Sequence, residues 1–227
     1  MDGHPFTCLP HEAQCVIALD QPIHVGSRDS VRDALAHGAD LADVAHYQHA
    51  ATRRGAAQLL RAQGAGNTVV LRGPDRAPQW PPGFVGSMTH TASFAAVAVL
   101  RESMARSVGI DVEAELAADQ QLLVRQYCLV DNEWDALVKG APSLSEAQLL
   151  TLSFSAKEAV FKCLYPLVKR YFDFTCVRIF AVDEAMNLLS TQVLDAEIAR
   201  CADASVLTGS FQFAEGHVFT SFRLPPA

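Results

Sequence analysis

Residues 171–224 alternate apolar and polar side chains in four short runs, "FTCVRIFAV", "LSTQVLD", "SVLTGSFQFA" and "HVFTSFRL". Runs of period two, bounded by turn residues, predict half-buried strands. The segment just before them, "LSEAQLLTLSFSAKEAVFKCLYPLVK" at 144–169, has the other period: Phe154, Phe161, Leu164 and Val168 make a helical stripe. It predicts one or two helices, ended by Pro166 or just after it. A long helix followed by a run of strands excludes an all-helical bundle and argues against alternating βαβ units.

The upstream segments fit the same plan. Residues 43–63 predict a helix stopped by Gly64. Strands are predicted at "CVIALD" (15–20), "TVVLRG" (68–73), "SMTHTASFAAVAVL" (87–100) and "SVGIDVEA" (107–114), the last two antiparallel across a short connection. "GPDRAPQWPPG" at 73–83 predicts a loop, and "DQQLLVRQYCL" and "DNEWDALVK" predict helices. The order is α+β with mainly antiparallel pairing. Each half has a long helix and a group of strands, so the plan hints at doubling.

Half of the 227 residues are hydrophobic, which supplies a core. A formal net charge of -7 argues against a broad nucleic-acid surface. Within residues 51–80, however, Arg53, Arg54, Arg61, Arg72 and Arg76 face a single acid, Asp75. That local excess suits a small anionic ligand, or else a solvated helix face and loop. None of the six cysteines forms a CxxC pair, and they read as buried free thiols in a reducing cytoplasm. No signal-peptide pattern is visible, and the longest apolar run, "FAAVAVL", is too short to span a bilayer, so we expect a soluble intracellular protein.

Three short stretches carry chemistry. In "GIDVEAE" (109–115), Asp111 and Glu113 lie two apart, on one face of a strand. Two such carboxylates suit Mg²⁺, or else an edge strand guarded against aggregation. In "FSAKEAVFKCLYP", Glu158 and Lys162 are helical neighbours. Ser155 and Glu158 also match a capping box, and Glu158–Lys162 also reads as a surface ion pair. In "WPPGFVGSMTH" (80–90), Gly83 and Gly86 allow close backbone approach, and Ser87, Thr89 and His90 offer donors.

The order, spacing and wording of these stretches resemble the three signature motifs of the 4'-phosphopantetheinyl transferases. The subgroup resembled serves siderophore, nonribosomal peptide and polyketide synthases, and is similar to enterobactin synthase component D. "TRRGAAQLLRAQG" and "DRAPQWP" extend the likeness, which spans roughly residues 47–174. Thr52 stands where the family often has Gly. The resemblance implies two similar α/β halves related by a pseudo-twofold, here residues 1–107 and 108–227, with the active site in the cleft between them. It implies transfer of the phosphopantetheine arm of coenzyme A to a serine of an apo carrier domain, releasing 3',5'-ADP. Asp111, Glu113 and Glu158 would hold Mg²⁺, and Glu158 would be the general base. His90, Thr89, Ser87, Arg53, Arg61, Arg72, Arg76, Lys157 and Lys162 would face the coenzyme phosphates. The chain would act as a cytoplasmic monomer, with Leu122, Leu123 and Tyr127 facing the carrier unless they belong to the core. A Mg²⁺-dependent pyrophosphate hydrolase and a non-catalytic coenzyme A-binding module are the rival readings of the same residues.

Overall fold

A computed structural model of the protein describes residues 5–19 and 41–226. The first part of that chain contains β1 (Gln14–Ala18), α1 (Leu41–Ala62), β2 (Leu71–Arg72), β3 (Pro78–Gln79), β4 (Phe84–His90) and β5 (Phe94–Arg101). Then follow β6 (Ser107–Ala114), α2 (Ala118–Tyr127), α3 (Glu133–Gly140) and α4 (Glu146–Val168). The last part adds β7 (Val177–Asp183), β8 (Leu188–Val193), α5 (Ala196–Ala202), β9 (Val206–Ala214) and β10 (His217–Leu224). A three-stranded sheet has the order β1-β5-β4, and a five-stranded sheet the order β6-β10-β9-β8-β7. All pairs are antiparallel, so the mixed α/β class read from the sequence holds.

Each sheet is covered by one long helix. Ala56, Leu59 and Leu60 of α1 bury against Val97 and Val99 of β5. Leu152, Ala159, Val160 and Cys163 of α4 bury against Val177, Ile179, Leu189 and Phe222 of the larger sheet. The predicted helical segment is thus a single helix. Its N-terminus is closed by a capping box of Ser145 and Gln148: Ser145 Oγ accepts from Gln148 N–H at 3.2 Å, and Gln148 Oε1 from Ser145 N–H at 2.9 Å. Ser155 is mid-helix and caps nothing; its Oγ lies 2.8 Å from Thr220 Oγ1. Pro166 sits inside the last turn, and Lys169 ends the helix in the left-handed region at φ 56°.

Four expectations need correction. The stretch 87–100 is a hairpin, β4 to β5, not one strand. Thr91 Oγ1 accepts from the N–H groups of Ser93 and Phe94, a local turn that outcompetes the ladder. Next, β6 pairs with β10 rather than with β5, because the last strand offers it an eight-residue partner. Of "TVVLRG", only Leu71–Arg72 is a strand, paired with Pro78–Gln79 inside the stretch expected to be loop. Finally, all six cysteines are free, but only Cys128 and Cys163 are buried and Cys201 is exposed. Asp20, the last residue of the predicted strand 15–20, lies outside the described residues.

The two large sheets meet edge to edge. β4 and β6 are both edge strands, and no backbone ladder joins them. Instead, Ser87 Oγ accepts from Ile110 N–H at 3.1 Å, and Thr89 Oγ1 accepts from Val112 N–H at 3.4 Å. These hydroxyls satisfy strand amides that would otherwise be buried orphans. The remaining sides of β6 are also covered. Val108, Ile110 and Val112 point into a cluster with Phe94, Ala96 and Phe219. Gly109, Asp111 and Glu113, two apart, share the opposite face.

That face receives α4. A Cβ built on Gly109 would meet Ala159 O at 1.9 Å and Cys163 N at 2.5 Å. Only a residue without a side chain lets helix and strand cross this closely. The crossing sets Glu158 and Lys162, on either side of Ala159, beside the carboxylates of β6.

Candidate active site

A cleft opens where α1, β4, β6 and α4 converge. Its charged part has a cavity volume of ≈ 410 Å³. His49 and Arg53 of α1, one helical turn apart, line one wall with His90 and Arg76. The His49 and His90 rings stand edge to face, 5.2 Å between centroids. Asp111 and Glu113 of β6 and Glu158 and Lys162 of α4 line the cavity as well. Cations, ring donors and carboxylates thus share one cavity, with one lysine among the acids.

Asp111 anchors the acidic side. Its side chain is almost fully buried. Oδ1 accepts from Lys162 Nζ at 2.6 Å and from Thr89 Oγ1–H at 3.0 Å. Oδ2 is buried with no partner. This oxygen is the one free acceptor of Asp111, and a bound cation could use it.

The neighbouring groups are out of balance in the same sense. Burial, then repulsion by Asp111, pushes the Glu113 carboxyl up from 4.5 to about 8, against the pull of Lys162. Burial also raises Glu158, again opposed by Lys162 and reinforced by Asp111. For Lys162, burial disfavours the charge, but Asp111 and then Glu158 outweigh it and hold the ammonium above its ordinary value. Burial lowers His90, helped by the charges of His49 and Lys162. Burial also lowers Arg53, with Arg72 adding repulsion. Asp111, Glu113 and Glu158 gather carboxylate oxygens beside a single lysine, and hard oxygen donors of this kind suit a hard dication. Among the described residues no three His, Cys, Asp or Glu side chains converge as a ready metal cage. Mg²⁺ does not demand one, since it commonly binds one or two carboxylates and completes its shell with waters and phosphate oxygens. Asp111, Glu113 and Glu158 therefore fit Mg²⁺ in donor chemistry.

The cleft continues into an apolar cavity of ≈ 590 Å³. Trp80, Met88, Phe161, Tyr165 and Tyr171 form its walls. Phe161 and Tyr165, one helical turn apart, have ring centroids 5.4 Å apart. α4 thus offers Glu158 and Lys162 to the charged cavity, and Phe161 and Tyr165 to the apolar one. Arg76, Pro78, Met88 and Lys162 line both.

Not every predicted residue comes to this cleft. Arg53, Arg76, Thr89, His90, Asp111, Glu113, Glu158 and Lys162 line the charged cavity, and Ser87 lines the apolar one. The hydroxyls of Ser87 and Thr89 are already engaged at the seam. Arg61 and Arg72 are exposed and line neither cavity, although Arg72 is close enough to repel Arg53. Lys157 points away. It is buried beside Glu133, Nζ to Oε2 2.7 Å, and also donates to the carbonyl of Cys128. Adjacent helical residues diverge by about 100°, so placing Glu158 in the cleft turns Lys157 out of it. Leu122, Leu123 and Tyr127 are 69%, 56% and 62% exposed on α2, which removes the alternative that they are core. Sequence reading missed His49 and the aromatic walls. His49 stands four residues before Arg53, a spacing that places both on one helix face.

The fold and site define a cleft that gathers three carboxylates with a lysine, two arginines and two histidines. Residues 107–218 match the profile of the 4'-phosphopantetheinyl transferase superfamily, and residues 46–100 that of the 4'-phosphopantetheinyl transferase N-terminal domain. The chain belongs to the 4'-phosphopantetheinyl transferase superfamily. It is 35% identical over 156 residues to 4'-phosphopantetheinyl transferase Svp of Streptomyces mobaraensis, covering 68% of this chain and 62% of that one. It is 35% identical over 103 residues to 4'-phosphopantetheinyl transferase Npt of Nocardia iowensis, covering 45% and 44%. It is 31% identical over 165 residues to enterobactin synthase component D of Salmonella typhi, covering 73% and 66%. The chain thus matches less than two thirds of the length of Svp and of Npt.

Proposed function

We propose that this protein transfers the 4'-phosphopantetheine arm of coenzyme A to a serine hydroxyl of an apo carrier domain. The observation that carries the reading is the two-part cleft. A charged cavity of carboxylates, arginines, histidines and a lysine runs into an apolar one, and Arg76 and Lys162 stand at the junction. Coenzyme A has matching parts: a phosphorylated nucleoside, a central pyrophosphate and a long thiol-ended arm. Arg53, Arg76 and His90 would bind the phosphates, with arginine suited to bidentate contact. Phe161, Tyr165 and Trp80 would flank the arm.

The transfer breaks one P–O bond and forms another. The carrier serine oxygen attacks the β-phosphorus, and the bond to the bridging oxygen of the pyrophosphate breaks. The leaving group is 3',5'-ADP, and the serine proton passes to Glu158, directly or through water. Glu158 lines the charged cavity beside Lys162 and Asp111, where a carboxylate can take up a proton from a hydroxyl brought to the pyrophosphate. Lys162 places positive charge beside the phosphate oxygens as their charge develops. Mg²⁺ held by Asp111, Glu113 and Glu158 would neutralise the pyrophosphate and polarise the phosphorus under attack.

One chain supplies both sides of the cleft, which supports action as a monomer. No helix among the described residues is long and apolar enough to cross a membrane. The exposed side chains of Leu122, Leu123 and Tyr127 offer an apolar docking face for the carrier. Carrier domains of siderophore, nonribosomal peptide or polyketide synthases are the proposed acceptors. The test is mass spectrometry of an apo peptidyl carrier domain after incubation with the protein, coenzyme A and Mg²⁺. The carrier serine should gain one phosphopantetheine, and Glu158→Gln should slow this by roughly 10²-fold or more. Release of 3',5'-ADP without a carrier would favour the hydrolase instead. Coenzyme A binding with no transfer to peptidyl, aryl or acyl carriers would favour the binding module.

A further inference from the structure

The segment between β2 and β3 carries Arg76 to the junction of the two cavities in a disfavoured conformation. Arg76 has φ 68°, in the left-handed region that an L side chain resists. Its own N–H donates to Gly73 O at 2.9 Å, and Gly73 N–H donates to Ala77 O at 2.8 Å. Asp75 completes the turn: Oδ1 accepts from Ala77 N–H at 3.2 Å. The other oxygen, Oδ2, leaves the loop altogether. It accepts from Tyr165 OH at 3.3 Å and from Lys169 Nζ at 3.4 Å, both on the last stretch of α4.

One carboxylate therefore holds the backbone N–H of Ala77, next to Arg76, and ties that turn to the helix bearing Glu158 and Lys162. Lys169 is itself held in the left-handed region as the helix cap, with its ammonium 5.7 Å from the Tyr165 ring centroid. The contacts of Asp75 to α4 are exposed, and exposed ion pairs add little to global stability. Their local effect is to tether the turn that carries Arg76.

We infer that Asp75 is a positioning residue for Arg76, holding the guanidinium at the junction where the charged cavity meets the apolar one. The inference rests on the proposed reading that the cleft binds coenzyme A, and it names the loop that sets the grip on that substrate. Asp75 itself lines the apolar cavity and not the charged one that holds Asp111, Glu113 and Glu158. It acts through Arg76 and should govern KM for coenzyme A rather than kcat.

The test is a double-mutant cycle of Asp75→Ala and Arg76→Ala, with Asp75→Asn as the conservative variant. Asp75→Ala should raise KM for coenzyme A about tenfold with kcat held within about twofold, the pattern of lost ground-state binding. Asp75→Asn keeps an acceptor for Ala77 N–H and should recover part of the loss. In the Arg76→Ala background, Asp75→Ala should add little further loss, because coupled residues are not additive. Fully additive losses, an unchanged KM or an equal fall in kcat would each overturn the inference. A second arm needs no substrate: trypsin cleavage after Arg76 in the ligand-free protein. Asp75→Ala should speed that cut, and an unchanged rate would overturn the inference. If wild-type protein fails to bind coenzyme A in calorimetry, the functional reading falls, and the trypsin result alone decides the role of Asp75.

Discussion

Lys162 Nζ lies 2.6 Å from Asp111 Oδ1, while the second oxygen of the same carboxylate is buried without a partner. The lysine thus satisfies half of Asp111 and leaves the other half for a ligand. Removing it by Lys162→Ala should cost about 10²-fold in kcat/KM, the scale of one lost charge-stabilising donor. Added Mg²⁺ should raise the melting temperature of this variant more than that of wild type, because Asp111 then lacks its only lysine. Steady-state transfer assays and thermal melts check the two halves of the prediction.

Glu113 gives stability a pH dependence. Its carboxyl is pushed from 4.5 up to about 8 by burial and Asp111. A group that binds its proton more tightly when folded supports the fold fully below its unfolded value. That support is lost as pH rises through the folded value. Metal-free protein should therefore lose stability between 4.5 and about 8, and Glu113→Gln should flatten that loss. Mg²⁺ should stabilise wild type more at the upper end of the window than at the lower. Melting curves across the range, with and without Mg²⁺, measure the effect. Equal Mg²⁺ shifts at both ends would count against Glu113 as a ligand.

Gly109 permits the closest contact in the site. A methyl group there would meet the carbonyl of Ala159 at 1.9 Å. Gly109→Ala must push α4 away from β6, at a cost of roughly 2 kcal/mol or more, as overpacking of a close-packed core does. Chemical denaturation should show that loss, and the transfer rate of the remaining folded protein should fall as Glu158 and Lys162 move off Asp111.

Glu133 and Lys157 form a fully buried pair. Glu133 also accepts from Val130 N–H at 3.0 Å and from Ile179 N–H at 2.8 Å. Cutting one partner leaves a buried charge alone, so Glu133→Ala should destabilise by about 3–5 kcal/mol. Coenzyme A affinity per folded molecule should be unchanged, since this pair faces away from the cleft. A weakened affinity in folded protein would return Lys157 to the list of phosphate-facing groups.

Leu123 and Tyr127 are exposed one helical turn apart on α2. Leu123→Asp should raise KM for the carrier by about tenfold, in keeping with loss of an interface hot spot, and leave KM for coenzyme A unaltered. Transfer kinetics with each substrate varied in turn separate the two constants.

Much of this was legible from single residues. The alternation after residue 171 gave β7 to β10, and the period-3.6 stripe gave α4. Asp111 and Glu113 of "GIDVEAE" stood out because placing like charges two apart on a strand needs a reason, and Glu158 of "FSAKEAVFK" through its helical pairing with Lys162. Other features were invisible for physical reasons. Nothing local tells that β6 prefers β10, over a hundred residues away, to its neighbour β5. The side of a helix on which Lys157 falls is fixed by which neighbour meets the strand, and that is a tertiary fact. Ser87 and Thr89 read as ligand donors, yet their hydroxyls accept from the amides of an adjoining strand. Trp80 and Phe161 lie within the quoted motifs, but their shared role as walls is not written there, since they and Tyr171 are brought together only by the crossing of loop and helix.

That pair of hydroxyls has a consequence for how such a molecule changes over time. Where two sheets share a backbone ladder, neither can shift without the other, because the ladder repeats at every residue. Here the joint is made by side chains: two hydroxyl pins, Ser87 to Ile110 and Thr89 to Val112, over an apolar seam in which Phe94 and Ala96 meet Ile110, Val112 and Phe219. A substitution at 87 or 89 therefore reaches the alignment of the two sheets directly, as no substitution within a backbone ladder could.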